Sequence, residues 1–303
     1  MSKEYNYSFI IPHHNTPDLL KRLVKSIPQR NDVEIIIVDD NSDEDKKANV
    51  VRDDVSIFYI DKDHTKGAGR ARNVGLEHAI GKWLIFADAD DFFSNTISKL
   101  LDSHKDSDHD IIYFKATGRN SDTSKPVSRG LKYNIYLDKF KNKRNKISED
   151  MLRYRHVIPW CKIIRRSLVT VHNIKFEEVK YSNDVMFVTQ AAFHARNIDI
   201  SNIAAYNVTV RSGSLMTQIT PESRRCRYDV KMRRMRFLWD NHKWRMAHPV
   251  IRPLLSILKR YGFQEFKVYT KIMRKNGIGW KHVIISEILY KCLGIYRYYF
   301  YET

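Results

Sequence analysis

Over the first 115 residues, short β-branched and aromatic runs alternate with amphipathic stretches, the order expected of a mostly parallel sheet covered by helices. The apolar runs predict strands at Tyr7 to Ile11, Glu34 to Asp39, Ser56 to Ile60, Trp83 to Ala87 and Asp110 to Lys115. Behind Pro17, Leu19, Leu20, Leu23, Val24 and Ile27 recur at helical spacing, with Asn15 or Thr16 as the cap. A second helix is expected from Ala68 to Ile80, closed by Gly81. The stretch from Asn120 to Arg129 is polar and has no period, which predicts a loop. Further helices are predicted near Ser148 to Tyr154 and Asn183 to His194, with β-like runs at Lys162 to Arg165 and Ile198 to Arg211. Beyond Thr217 the pattern is helical throughout, with breaks near Pro249, Pro253 and the pair Gly277 and Gly279.

Composition fits a globular chain: 43% of the 303 residues are hydrophobic, enough for a sizeable core, which excludes disordered and fibrous classes. The formal net charge of +18 is uneven. Residues 1 to 215 hold 34 basic and 29 acidic side chains, whereas residues 216 to 303 hold 19 and 6. Cys161, Cys226 and Cys292 are too widely spaced for a disulfide framework or short-range metal pairs, so a reducing compartment is expected. No apolar stretch approaches the roughly 20 residues that span a bilayer, and a cytoplasmic protein, peripheral on the inner face of the membrane, is the expectation.

Two predicted strands end in acids. EIIIVDDNSDE closes on Asp39, Asp40 and Asp43, and WLIFADADD closes on Asp88, Asp90 and Asp91. In an open α/β sheet the carboxyl ends of neighbouring strands line the ligand crevice, so both clusters should face one site. Like charges gathered this way call for a cation, and carboxylate oxygens suit Mg²⁺ or Mn²⁺ better than zinc. Beside them, KGAGRARNVG (residues 66 to 75) offers small residues and the cations Arg70 and Arg72, a combination suited to a diphosphate. It matches neither GxGxxG nor GxxxxGK[ST].

These residues, in this order, resemble the inverting nucleotide-sugar glycosyltransferases of the large bacterial group designated family 2, which have the A-type glycosyltransferase fold (GT-A). FIIPHHN resembles the first strand and loop of that family, IVDDNSDE its nucleotide-binding turn and GRARNVGLEHAIGKWLIFADADD its most diagnostic block. WCKIIRRSL, YSNDVMF and YNVTVRSGSL resemble its acceptor half and RxGS segment, so coverage runs from about Tyr7 to Met216. The resemblance implies an α/β fold with a mostly parallel sheet sandwiched by helices. A nucleotide-sugar-binding half (1–118) would be followed by an acceptor half (119–216) and a basic helical extension (217–303).

Site roles follow from the same resemblance. Asp39, Pro12 and Asn15 would hold the base of the nucleotide, Asp88 the ribose region and Asp90 a Mn²⁺ or Mg²⁺ ion bridging the diphosphate. Arg72, Arg211 and Ser214 would stand against the phosphates. Asp184 falls at the second position of the Glu-Asp motif and would be the catalytic base, with Asn183 where the family has Glu. Its place in a first helical turn favours the ionised carboxylate. Each acid has a plainer reading too, as a solvated turn or helix cap; His13 and His14 read as passive loop residues, and Trp160 as a core or rim residue rather than an acceptor platform.

From Arg224 to Arg236 seven cations face one acid, interleaved with Met and followed by Phe237, Leu238 and Trp239. Such basic, aromatic-rich helices suit an anionic membrane surface, reached through residues 224 to 303; the plainer alternative is packing on the catalytic domain. No nucleic-acid motif is present and none is expected as partner. The function expected is transfer of a sugar from a nucleotide-sugar donor, a UDP-hexose or UDP-N-acetylhexosamine, to a glycan or lipid-linked oligosaccharide acceptor in surface polysaccharide synthesis. The alternatives are an inactive membrane- or polyanion-binding scaffold and a sugar nucleotidyltransferase, which would carry a glycine-rich loop where this chain has PHHNTPD.

Overall fold

The computed structural model describes residues 4–60, 67–123, 125–210 and 219–292. They separate into two compact units, 1–218 and 219–303. In the first unit the order is β1 (Tyr7–His13), α1 (Pro17–Ser26), β2 (Val33–Asp39), β3 (Val55–Tyr59), α2 (Ala68–His78), β4 (Trp83–Phe86), β5 (Phe92–Phe93), α3 (Ile97–His104) and β6 (Ile111–Asn120). It continues with α4 (Leu131–Asn142), α5 (Lys146–Arg155), β7 (Lys162–Arg165), α6 (Arg166–Val171), α7 (Asp184–His194) and β8 (Ile198–Val210).

The strands form one sheet in the order β3-β2-β1-β4-β7-β6-β8-β5. The β3-β2-β1-β4 half is parallel throughout, and β7 then enters antiparallel between β4 and β6. β6 and β8 pair in parallel, and β5 closes the edge antiparallel to β8. Alternate strand residues feed two cores. Phe9, Ile11, Ile35, Ile37, Trp83 and Ile85 pack with the Leu20–Leu23 face of α1 and the Leu100–Leu101 face of α3. Ile10, Ile36, Val38, Leu84 and Phe86 pack on the other side with residues of α2, α5, α6 and α7. Burial on both faces is why these strands read as continuous apolar runs rather than alternating ones.

The predicted strands and the helices around Pro17, Ala68, Ser148 and Asn183 are all present. Three helices escaped the sequence reading: α3 and α4, each with only three buried apolar positions, Ile97, Leu100 and Leu101 in one and Tyr133, Leu137 and Phe140 in the other, and the short α6, with two, Leu168 and Val169. β6 also runs to Asn120, five residues beyond its predicted end at Lys115, because β8 pairs with it over that whole length. Neither expected cap of α1 operates through its side chain. Thr16 takes the cap position without a side-chain bond, and the Asn15 amide turns to Asp43 instead. Gly81 does not close α2, which ends at His78. A Cβ on Gly81 would meet the Ser8 backbone nitrogen at 2.8 Å, so this glycine serves a close approach to β1.

The second unit comprises α8 (Pro221–Asp240), α9 (Ile251–Lys275) and α10 (Trp280–Cys292). Thr220 and Ser223 form a reciprocal capping box at the start of α8. Tyr228, Met232 and Met235 of α8 pack with Leu254, Tyr269 and Met273 of α9 and Val283 of α10. The Arg225 guanidinium binds Glu265 through two hydrogen bonds of 3.0 and 2.5 Å, tying α8 to α9. Pro249 and Gly277 fall at the expected breaks, but Pro253 sits harmlessly in the first turn of α9. The kink lies instead at Gly262, with φ of 80°.

Within the first unit, Gly69 sets how closely α2 approaches the chain leading into α7. A Cβ there would lie 2.1 Å from the Glu177 carbonyl oxygen and 3.0 Å from the Asn183 Cβ, and backbone cannot swing aside. Gly69→Ala is therefore expected to destabilise this unit by about 1–3 kcal/mol. A fall of several degrees in its thermal midpoint is the readout; an unchanged midpoint would show that this approach is not tight.

Candidate functional site

The site is built where the parallel half of the sheet ends. β1 is central to that half, with β2 and β4 on either side, so Asp39 closes β2 next to His13 and Asp88 follows β4 along the same edge. Asp39 is 1% exposed. Its Oδ2 accepts from His13 Nδ1 at 2.9 Å and from the Ala48 amide at 2.7 Å, and its Oδ1 accepts from the Ser42 amide at 2.9 Å. Burial works to raise the carboxyl, but these donors outweigh it and hold Asp39 at about 2. The Ser42 hydroxyl adds a further hydrogen bond to the same carboxylate.

His13 has both ring nitrogens engaged, since the Thr16 amide donates to Nε2 at 3.2 Å. That fixes the tautomer, with the proton on Nδ1 facing Asp39, and makes His13 a structural clamp on the acid. Asn15, at φ of 55°, is locked to Asp43 in both directions, at 3.0 and 2.8 Å, while its own amide donates to Ser42. Pro12, half-buried, lies in the same strand end. The Asp40 carboxylate accepts from the Gly67 amide at 2.7 Å, which draws the start of α2 to this edge.

Arg72 joins the second acid turn to α7. The guanidinium is 5% exposed, donates to Asp88 Oδ1 at 2.6 Å and to Asn183 Oδ1 at 2.9 Å, and lies 5.3 Å from the centre of the Phe176 ring. Asn183, in the position where the family pattern has Glu, therefore serves as an acceptor for Arg72. That bond takes its oxygen away from capping α7, where it makes no side-chain cap.

Asp184 is the first residue of α7 and half-buried. Burial raises its carboxyl above the usual range; Arg72 opposes this, and Asp88 adds to it. The helix terminus acts in the direction expected, through a backbone hydrogen bond that lowers the carboxyl, but desolvation is the larger effect and the net shift is upward.

The acid turn itself is stapled by β8. Asp91 is 3% exposed and accepts from the Thr209 amide at 2.7 Å. The Tyr206 hydroxyl accepts from the Asp88 amide at 2.9 Å and donates to the Asp91 carboxylate. The Asp90 carbonyl accepts from the Thr209 hydroxyl at 2.6 Å and from Arg22 at 2.5 Å. Burial, then the charges of Asp90 and Asp88, push the Asp91 carboxyl well up. Asp88 and Asp90 stay partly exposed while Asp91 is packed away.

Among the described residues no set of three His, Cys, Asp or Glu side chains forms a complete metal cage. One or two partly exposed carboxylates are what Mg²⁺ or Mn²⁺ needs from protein when waters and phosphate oxygens fill the other positions, so the partly exposed Asp90 fits such an ion. Arg211 and Ser214 lie outside the described residues.

Trp160 is 5% exposed, stacked on Tyr206 at 5.6 Å and edge-on to Tyr133, so it belongs to the core beneath the acid turn. Sequence reasoning missed the staples from Tyr206, Thr209 and Arg22. It also missed Lys162, a 1%-exposed amine that donates to His156 Nδ1 at 2.7 Å and to the carbonyls of His156 and Ile158. Burial pushes this amine down to about 7. Thr209 and Tyr206 lie in the predicted last strand, but nothing in one strand states which turn it will face.

A family model described as Glycosyl transferase family 2 matches residues 8–171. The chain is 27% identical over 231 residues to the poly(ribitol-phosphate) β-N-acetylglucosaminyltransferase TarS of Staphylococcus aureus, covering 71% of this chain and 38% of that one. It is 28% identical over 185 residues to a GalNAc(5)-diNAcBac-PP-undecaprenol β-1,3-glucosyltransferase of Campylobacter jejuni, covering 58% and 56%. The chain thus spans only part of the length of these relatives. The crystal structure of S. aureus TarS 1–349 in complex with UDP-GlcNAc has the same fold, with a TM-score of 0.65 at 22% identity over 89% of this chain and 80% of that one.

Tyr206→Phe removes the acceptor of the buried Asp88 amide and a donor to Asp91 together. It is expected to cost about 1–3 kcal/mol of stability and to weaken nucleotide binding, since the acid turn loses its staple. Calorimetric titration of the purified variant with nucleotide checks this, and unaltered affinity would show that the turn holds its shape without β8.

Proposed function

The chain belongs to glycosyl transferase family 2, and on that premise we propose that it is an inverting glycosyltransferase acting in surface polysaccharide synthesis. Its donor is a UDP-hexose or UDP-N-acetylhexosamine, and its acceptor is a hydroxyl of a glycan or lipid-linked oligosaccharide. The observation that carries this reading is the Arg72 bridge, which connects the partly exposed Asp88 to Asn183 and so sets a half-buried carboxylate, Asp184, beside the acid turn. The relatives support the donor class: TarS is a β-N-acetylglucosaminyltransferase and was crystallised with UDP-GlcNAc.

In this reading the base of the nucleotide rests against Pro12 and Asn15, with Asp39 Oδ1 accepting one base N–H and Asp88 contacting the ribose. Asp90 would hold a Mg²⁺ or Mn²⁺ ion, whose charge would match that of the departing diphosphate. Arg72 acts through Asp88, which it orients, and Arg211 with Ser214 contributes from the segment after β8. Asp184 takes the proton of the acceptor hydroxyl. The new C–O bond forms on the face of the anomeric carbon opposite the diphosphate, the old C–O bond breaks, and its electron pair leaves with the nucleoside diphosphate. Configuration inverts in that one displacement. A raised carboxyl suits the task, because a base with a pKa nearer neutrality gains proton-transfer driving force.

The cationic residues of 224–303 bring the enzyme to the anionic inner face of the cell membrane, where a lipid-linked acceptor is made. No helix among the described residues is long and apolar enough to cross a membrane.

Thermal unfolding with UDP, GDP, TDP and CDP, each with Mn²⁺, Mg²⁺ or EDTA, tests the donor site, since a selective ligand raises apparent stability by mass action. A metal-dependent shift with UDP alone, lost in Asp90→Ala, is expected; no shift with any nucleotide would sink the reading. Asp184→Asn should keep the shift while turnover falls by about 10²- to 10⁴-fold. The pH profile gives the sign of the base. As pH falls through the raised pKa of Asp184 the carboxylate gains a proton and turnover drops, and this acid limb should vanish from the residual rate of Asp184→Asn.

A further inference from the structure

α10 carries its polarity the wrong way round. On its packed side stand Val283, Ser286 and Glu287, exposed by 0%, 1% and 7%. On its open side stand Trp280, Ile284, Ile285 and Ile288, exposed by 46%, 51%, 42% and 54%. At about 100° per residue these four fall within an arc of about 140°, with Lys281 inside it. A helix that hides a serine and a carboxylate and presents a tryptophan and three isoleucines to the outside has an unpartnered apolar face.

Charge decides what covers that face. Residues 219 to 303 carry 19 Lys plus Arg against 6 Asp plus Glu, an excess of 13 positive charges. A second copy docked on the same face would press two such excesses together, whereas an anionic bilayer neutralises them. The composition of the arc agrees. Its indole sits at one edge, where amphipathic rings meet headgroups, and Lys281 can lay its stem along apolar surface with its amine in the headgroup layer. α9 exposes the same mixture, with Leu255, Tyr261 and Phe263 exposed by 56%, 43% and 59% beside the exposed Lys259 and Arg260. At 13 residues α10 is too short to span and suits a helix lying in the interface plane.

We propose that the Trp280, Ile284, Ile285 and Ile288 face of α10 is a membrane-docking surface that inserts into an anionic bilayer at headgroup depth. This deepens the membrane part of the proposed function and rests on it, and the chemistry at Asp184 does not enter.

Flotation of the full chain with phosphatidylcholine vesicles, and with vesicles that also contain phosphatidylglycerol, is the test, run on the native chain and on the double variant Ile284→Gln, Ile288→Gln. Both positions are solvent-facing, so the variant should unfold at the native temperature and show the native nucleotide-induced shift. The native chain is expected to float only with the anionic vesicles, and the double variant to bind them at least about tenfold more weakly. Equal binding by both chains would overturn the assignment of this face while leaving a purely electrostatic membrane contact standing. Failure of the native chain to bind would overturn both. If sedimentation instead showed a concentration-dependent dimer that the double variant dissociates, the face would be a self-interface and the proposal wrong.

Discussion

Four residues, Asp88 to Asp91, bring three carboxylates to one strand end, and the geometry of the site depends on how that repulsion is managed. The arrangement is asymmetric. Asp91 is withdrawn into the protein and held by the Thr209 amide and the Tyr206 hydroxyl, with its carboxyl pushed well up. Asp88 is paired with Arg72. Asp90 is left partly exposed, its backbone carbonyl fixed by Thr209 and Arg22. A turn anchored from below keeps Asp88 and Asp90 towards the surface, the arrangement that the proposed divalent ion would need.

The Arg72 bridge extends this turn to the other half of the unit. It spans from α2 to Asp88, 16 residues on, and to Asn183, 111 residues on. The close approach it needs is allowed by Gly69, where any Cβ would strike the Glu177 carbonyl. The same cation lowers the Asp184 carboxyl that burial raises, so one guanidinium orients the donor-side acid and tempers the base. Asn183 is consistent with that duty. A neutral amide oxygen can accept from Arg72 without adding a further negative charge beside Asp88 and Asp184.

What the sequence made legible was whatever is local. Strands buried on both faces read as unbroken apolar runs, and acids directly after such runs point to strand ends and hence to the crevice. That located Asp39, Asp88 and Asp90 at strand ends, whereas Asp184 was singled out only through the family resemblance. What it hid is long-range pairing. Thr209 and Tyr206 are ordinary β-strand residues until β5 and β8 come together and set them under the acid turn. His13 reads as a loop residue until the Asp39 carboxylate is seen beside it. α3 and α4 were missed because three apolar positions in a short polar stretch are a weak period. The net upward shift at Asp184 was not legible for a related reason: a helix terminus is visible in sequence, whereas desolvation belongs to the tertiary fold.

The two units obey opposite rules of surface chemistry, and this argues for a division of labour. In the first unit several acids have a cation beside them, Asp54 with Arg52, Asp88 with Arg72 and Asp32 with Arg30. In the second, 19 cations face 6 acids, so most positive charge there has no acid to pair with inside its own unit. Excess charge of one sign destabilises a compact state through self-repulsion. A small helical unit that retains such an excess together with an exposed row of isoleucines gains from a surface that is both anionic and apolar. The interfacial layer of a charged bilayer offers both at once, which is what the proposed docking of α10 would use.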